Sequence, residues 1–132
     1  MATFAGLSTL GQIHMNARDV DRAKLFYRDT LGVPFLFEFP GLAFFDCGGV
    51  RLMLSRAETP EEDHPGSVLY FKVEDIDAAH AELGGRGVQF EGPPHRIADM
   101  GSYELWMAFF RDSEANLLAV MAEKAKEASP SP

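Results

Sequence analysis

The sequence contains a single cysteine, Cys47, so it can form no intrachain disulfide, which fits a reducing compartment such as the cytoplasm. It has no apolar run of membrane-spanning length, and its first residues lack the features of a signal peptide. Basic residues are scarce, with 12 Lys and Arg against 20 Asp and Glu. Because phosphate binding needs clustered basic side chains, this balance argues against nucleic acid. We expect a cytoplasmic protein with no membrane and no nucleic-acid partner.

Aromatic residues, by contrast, are plentiful, and phenylalanine alone occurs 11 times in 132 residues. Phenylalanine fills cores, and it also lines pockets for organic ligands. One group is expected to lie mostly in the core, with one or two members at the border of a cavity: Phe35, Phe37, Phe39, Phe44 and Phe45. The net charge of −8 would suit a cationic ligand through long-range attraction. It also keeps a protein soluble, and this second interpretation carries more weight.

The first half of the chain has a β-α-β-β-β pattern. Apolar and polar residues alternate over positions 12–17, which predicts a strand with Gln12, His14 and Asn16 on one face. Asp19 is placed to cap a helix that ends at Gly32. Glycine-containing turns separate three further predicted strands, at residues 33–39, 42–46 and 51–55.

The second half repeats this order. Residues 68–73 alternate, with Val68 and Tyr70 on one face, and Asp75 is placed to cap a helix that ends at Gly84 and Gly85. Three more strands are predicted at residues 88–91, 102–111 and 116–122. The two capping aspartates stand 56 residues apart, and later matches follow in the same order at offsets of 55 to 66. Such an ordered series indicates a duplicated module.

These patterns predict one α+β domain over residues 1–132. Module one spans about 10–57, a polar linker 58–66, module two 67–123, and a frayed tail 124–132. A helix covers one face of each sheet, so the other face must find cover or form a concave wall. We therefore expect two βαβββ modules whose half-barrel sheets pair around a concave cavity.

Four segments carry a family resemblance: QIHMNARDVDRAKLFY, TLGV, VLYFKVEDIDAA and FRDSEANLLAV. They resemble the vicinal oxygen chelate superfamily, which holds glyoxalase I, bleomycin resistance proteins, fosfomycin resistance enzymes and extradiol dioxygenases. The resemblance covers residues 12–121 and implies paired βαβββ modules and a homodimer, with each cavity either inside one chain or shared across the dimer. Ser113 and Ala115 depart from the closing motif, which usually carries Pro and Gly there.

The resemblance also implies four positions for a metal, one in the first strand and one in the last strand of each module. They correspond here to Gln12, Met53, Val68 and Ala119. Val and Ala offer no lone pair, Met suits soft Cu(I), and one amide oxygen cannot hold a divalent ion. We expect no metal at the usual place and no other cofactor, and the shared fold does not transfer a reaction.

Three histidines and one glutamate are further candidates for chemistry. His14 is expected to hydrogen-bond inside the cavity wall or to contact a ligand, rather than to bind metal. His64 and His95 are predicted in loops. A relocated metal could use His14, His95 and Glu104, and a metal-free acid–base pair could combine one of these histidines with Glu104. The spacing of these residues along the sequence supports neither the metal set nor the acid–base pair.

Glu104 and Trp106 share one face of a predicted strand, with Tyr103, Leu105 and Met107 on the other. If the first face is concave, Trp106 is a stacking wall and Glu104 an anion for a cationic ligand. If the second face is concave, Trp106 packs under a helix. The pattern does not choose between them.

The leading hypothesis is a small-molecule-binding protein without the usual metal ligands. Sequestration of a drug or metabolite, as by bleomycin resistance proteins, is the form of binding that the resemblance implies. The alternatives are a lyase, isomerase or dioxygenase using a relocated metal or acid–base residues, and a dimeric scaffold with a vestigial cavity. No catalytic residue is assigned. The expected ligand-binding residues are Gln12, His14, Asn16, Met53, Tyr70, His95, Glu104, Trp106 and Met121.

Overall fold

Each half of the chain builds its own four-stranded mixed sheet, and the chain divides into two units between Gly66 and Ser67. The structure is a computed structural model and describes residues 6–126. We call residues 6–66 unit one and residues 67–126 unit two. The expected fraying of residues 127–132 lies outside the described residues. The α+β class and the two βαβββ modules are confirmed.

Unit one begins with a strand and a short capped helix. Asp19 caps the helix by accepting a hydrogen bond from the Arg22 backbone N–H at 3.0 Å. The helix continues as a π-helical segment, Phe26–Thr30, and ends at Gly32, whose φ of +75° is a conformation that glycine adopts without strain. The elements are β1 (Gln12–Asn16), α1 (Val20–Leu25), β2 (Phe35–Phe39), β3 (Leu42–Cys47) and β4 (Val50–Ser55). The sheet order is β1-β4-β3-β2, with only β1 and β4 parallel.

Unit two repeats this arrangement. Asp75 caps its helix by accepting from the Ala78 backbone N–H at 3.0 Å. The elements are β5 (Leu69–Lys72), α2 (Ile76–Gly85), β6 (His95–Asp99), β7 (Tyr103–Arg111) and β8 (Leu117–Ala125). The sheet order is β5-β8-β7-β6, and only β5 and β8 are parallel. Among the described residues, no helix has the length and apolar character needed to cross a membrane.

The core of each unit lies between the helix and one face of its sheet. In unit one, Tyr27 from the π-helical segment packs on Phe45 with ring centroids 5.9 Å apart, and both side chains are fully buried. In unit two, Phe110 contacts Phe90, which in turn contacts His80 of α2. Burial of these apolar side chains supplies the main stabilisation of each unit.

The predicted strand over residues 88–91 is wrong. Only Phe90 pairs there, in a single bridge to Phe110 that matches the Phe35–Phe45 pair of unit one. Pro93 and Pro94 follow, and proline has no N–H to donate to a ladder. Pairing resumes at β6, so the prediction that His95 lies in a loop is also wrong.

The last strand is longer than predicted. Lys124 and Ala125, assigned to a frayed tail, belong to β8 and pair with Glu104 and Tyr103 of β7. The Lys124 ammonium also forms an ion pair with Asp77 of α2 at 3.0 Å. The first strand of unit two is shorter than predicted, because β5 begins at Leu69 and leaves out Val68.

The turn between β7 and β8 holds a strained alanine. Ala115 has a φ of +68° and is the one non-glycine residue with a positive φ among residues 6–126. This left-handed conformation brings the alanine Cβ close to the following carbonyl oxygen. The strain falls at the position where the resembling family's motif usually carries glycine.

Replacing Ala115 with glycine should therefore raise the free energy of unfolding by about 1 kcal/mol, because glycine relieves the strain while adding some unfolded-state entropy. Urea denaturation of both proteins measures the difference. Ala57→Gly is the matched control, since Ala57 lies in a loop at negative φ and gains no relief. Equal or lower stability of Ala115→Gly would contradict the strain argument.

Candidate functional site

The sheet face opposite α1 gathers all four of the expected ligand-binding residues of unit one. Strand register sets its composition, because side chains directly opposite in neighbouring strands share a face. We call it the distal face of unit one. Its members are Gln12, His14, Asn16, Phe37, Phe39, Leu42, Phe44, Asp46, Arg51, Met53 and Ser55.

Three neighbouring side chains form a polar row on this face. Arg51 stands beside Gln12 in the β1–β4 ladder, and its Nε donates to the Gln12 Oε1 at 2.9 Å. The Gln12 Nε2 donates weakly to the Met53 Sδ at 3.8 Å. The two metal positions of module one are therefore adjacent, and an arginine occupies the space beside them.

His14 and Asn16 have separate surroundings on the same strand. The His14 Nε2 hydrogen-bonds to the Ser55 hydroxyl at 2.7 Å, and Ser55 is buried. The hydrogen bond expected of His14 is present, whereas the cavity wall expected around it stays a prediction. The Asn16 side-chain amide instead donates to backbone carbonyls of the linker, including that of His64 at 3.2 Å. Asn16 thereby ties the linker to the sheet.

Three phenylalanines cluster beside the polar row. The ring of Phe37 lies 4.8 Å from Phe44 and 5.7 Å from Phe39 between centroids. A bulge at Leu36 breaks the β2 register, so Phe35 faces the helix while Phe37 faces the other side. The guanidinium of Arg51 sits 5.4 Å from the centre of the Phe44 ring, within cation–π distance.

The distal face of unit two, opposite α2, is also aromatic. Phe109 lies between Tyr70 and His95, with ring centroids 6.1 Å and 6.4 Å away. Tyr70 stands where His14 stands in unit one, since each pairs with the corresponding residue of the last strand, Ala119 or Met53. Met121 belongs to this face through its pairing with Met107.

Glu104 and Trp106 lie on the helix-covered face, so the interpretation that makes them a ligand-facing wall is wrong. They alternate with Tyr103, Leu105 and Met107 and share their face with the buried Ala108 and Phe110. The Lys124 ammonium, which pairs with Asp77 of α2, sits 4.1 Å from the centre of the Trp106 ring. The strand therefore turns its other face away from the helix.

The side chains at the four family metal positions do not fit a divalent ion. Val68 and Ala119 carry no donor atom, and Met53 offers only a soft thioether. The one oxygen donor, the Gln12 Oε1, already accepts from Arg51, whose permanent charge repels a cation. Within residues 6–126, no three His, Cys, Asp or Glu side chains form a group that could hold a metal.

The relocated set of His14, His95 and Glu104 is also wrong. His95 pairs with Met107 on the distal face of unit two, whereas Glu104 projects from the opposite face of the same sheet. Glu104 is held by Arg96 Nη1 at 3.1 Å and by Trp106 Nε1 at 3.2 Å. These hydrogen bonds lower the pKa of the Glu104 carboxyl below its usual value, which makes it a poor general acid.

Cys47 is not placed for nucleophilic chemistry. It is half-buried at the end of β3, and this burial raises the pKa of its thiol. The neighbouring Asp46 raises the pKa further, so the thiolate fraction at neutral pH is small.

Arg51, Phe109 and Ser55 are site residues that sequence reasoning missed. The alternation of β4 places Arg51 on one face with Met53, so that signal was present. The contact between Arg51 and Gln12 depends on parallel pairing between strands 39 residues apart, which no local pattern reveals. Phe109 had a signal too, because the internal repeat aligns it with Phe44.

Comparison with known proteins agrees with this architecture. The family model "Glyoxalase/Bleomycin resistance protein/Dioxygenase superfamily" matches residues 9–120. The uncharacterized protein YraH of Bacillus subtilis (strain 168) is 31% identical over 123 residues, which cover 83% of this chain and 94% of that protein.

Two solved structures show the same fold. The antibiotic-binding protein TnmS3 from Streptomyces sp. CB03234 has a TM-score of 0.73 and 24% identity, covering 92% of this chain and 100% of that one. Lactoylglutathione lyase from Agrobacterium tumefaciens has a TM-score of 0.71 and 23% identity, covering 89% and 95%. Since a binding protein and an enzyme share this fold, the fold by itself does not assign a function.

Proposed function

The chain belongs to the glyoxalase/bleomycin resistance protein/dioxygenase superfamily, and we propose that it binds a small organic molecule without a divalent metal. The observation that carries this proposal is the pairing of Gln12 with Arg51 at 2.9 Å. The pairing engages the one oxygen donor among the family metal positions and places a fixed positive charge beside it, which disfavours a bound cation. A divalent ion at these positions would need several nitrogen or oxygen donors and no adjacent positive charge.

The aromatic surfaces supply what such a ligand needs. Both distal faces carry rings in mutual contact, and ligand sites are lined mainly by apolar and aromatic side chains with a few polar groups. On unit one the polar groups are Arg51, Gln12 and the His14–Ser55 pair. The shared fold with the antibiotic-binding protein TnmS3 agrees with sequestration of a drug or metabolite. The concave cavity, the homodimer and the cytoplasmic location expected from the sequence stay predictions.

Metal independence can be measured directly. Calorimetric titration with a panel of neutral, anionic and cationic aromatic compounds should show saturable binding, with the same Kd in EDTA as in added Zn²⁺, Ni²⁺ or Mn²⁺. Met53→Leu removes the thioether sulfur but keeps the apolar volume, so it should change the Kd by no more than about twofold.

Two results would contradict the proposal. One is binding that appears only when a divalent ion is present, and in that case Met53→Leu should weaken it sharply. The other is the absence of saturable binding across the whole panel, which would favour the dimeric scaffold.

A further inference from the structure

We propose that the distal face of unit one selects planar aromatic molecules that carry an anionic group, with Arg51 binding the anion and the phenylalanine cluster binding the ring. This inference rests on the proposed function and names the class of small molecule that the protein binds. The cluster consists of Phe37, Phe39 and Phe44.

Arg51 is oriented by its neighbours but keeps donors free. Its Nε is used by the Gln12 Oε1, which fixes the plane of the guanidinium beside the β1–β4 ladder. Within residues 6–126, its two Nη atoms have no hydrogen-bond partner, and Arg51 itself is exposed. A guanidinium presents these donors in a rigid fork that matches a carboxylate.

The phenylalanine cluster lies directly beside this fork. Phe44 is packed under the guanidinium and is only 8% exposed, whereas Phe37 is 41% and Phe39 is 58% exposed. The cluster therefore keeps apolar ring surface that a flat ligand can cover. Aromatic pairs prefer offset-stacked or edge-to-face contacts, and Phe39 already makes edge-to-face contacts with Phe37 and Phe44, while Phe37 and Phe44 are tilted at 34°.

The formal charges on the distal face of unit one cancel, so this face does not share the acidity of the whole chain. Arg51 is the only Lys or Arg on the distal face of unit one as defined above, and Asp46 is its only carboxylate. Asp46 stands directly opposite Arg51 in the β3–β4 ladder but makes no ion pair with it among residues 6–126. Its Oδ1 instead accepts from the Gly49 backbone N–H at 2.8 Å in the β3–β4 turn. Exposed charges farther away than about 8 Å are largely screened at physiological salt. The contact made by Arg51 thus outweighs the net charge of −8, which alone would suggest a cationic ligand.

The test compares 2-naphthoate, 2-naphthamide and 2-naphthylmethylammonium, which share a ring system but differ in charge. In calorimetric titration of the full chain, 2-naphthoate should bind at least about tenfold more tightly than 2-naphthamide, because it forms charge-assisted hydrogen bonds. The cation should bind least well. Arg51→Met keeps the apolar stem and should reduce the preference for the anion to about twofold or less.

Arg28→Met is the matched control. It removes the same charge from an exposed arginine of the same unit, which pairs with Asp29 on the π-helical segment. Any effect of net charge alone should appear equally in both variants. We expect Arg28→Met to keep the full preference for 2-naphthoate.

Equal binding of 2-naphthoate and 2-naphthamide by the unmodified protein would overturn the inference, and this comparison needs no variant to fold. So would a preference that survives Arg51→Met, or no binding of 2-naphthoate. If other panel compounds still bind in EDTA, the proposed function stands and only the anionic specificity is wrong. If nothing in the panel binds, both fail.

Discussion

Replacing Phe45 with alanine should lower the free energy of unfolding by about 3–5 kcal/mol, the range found when large buried aromatic side chains are truncated. Phe45 is fully buried at the centre of unit one, where its ring contacts Tyr27 and Phe35 at centroid distances of 5.9 Å and 5.5 Å. The truncation would remove apolar burial and leave a cavity between α1 and the sheet. Urea denaturation followed by circular dichroism measures the loss.

The control for this prediction is a phenylalanine on the other face of the same sheet. Phe39 is 58% exposed, so Phe39→Ala should cost only about 1 kcal/mol. If Phe45→Ala is too unstable to measure, Phe45→Leu is a smaller truncation that should lower the free energy of unfolding by about 1–2 kcal/mol. Similar losses for Phe45→Ala and Phe39→Ala would show that the core does not lie between α1 and the sheet.

Replacing Asp112 with alanine should cost about 2–3 kcal/mol, because three donors around a nearly buried carboxylate lose their acceptor. Asp112 is 7% exposed. Its Oδ1 accepts from the backbone N–H groups of Glu114 and Asn116 at 2.8 Å, and its Oδ2 accepts from the Asn116 side chain at 2.9 Å. These bonds close the turn that leads from β7 into β8.

Unit one supplies a matched comparison for Asp112. Asp46 occupies the same place in the β3–β4 turn, but it is half-buried and the Gly49 backbone N–H is its one donor in residues 6–126. Asp46→Ala should therefore cost about 1 kcal/mol. Asp112→Asn keeps an acceptor oxygen and should fall between the two. Thermal or urea unfolding of the three variants gives the order, and a loss at Asp46 as large as that at Asp112 would contradict this account.

Local patterns predicted the elements that depend on short-range chemistry. The N-caps at Asp19 and Asp75 followed from their position before an apolar stripe, and the structure confirms both. The prediction of a strand at 88–91 was wrong because it followed the β propensity of the residues around Phe90. The prolines that come next prevent a continuous ladder, so only a single bridge forms. The prediction that His95 lies in a loop was wrong because β6 starts directly after those prolines.

The candidate site was predicted in composition but not in arrangement. Alternation placed Gln12 and His14 on one face, and the internal repeat aligned Met53 with Ala119 as the last-strand positions of the two modules. Whether Trp106 faced the helix depended on which side of the sheet α2 covers, and alternation alone is symmetric between the two sides. Arg51 gained its role only through pairing with a strand distant in sequence.

The sequence by itself determined the duplicated module, its α+β class and the side-chain chemistry available at the four family metal positions. These properties follow from periodicity, capping residues and residue identity, all of which are local. Only the tertiary structure decided which face of each sheet the helix covers, and therefore that Glu104 and Trp106 point away from the distal face. It also placed the Arg51 guanidinium on the Gln12 amide, because cross-strand register depends on the packing of the whole sheet.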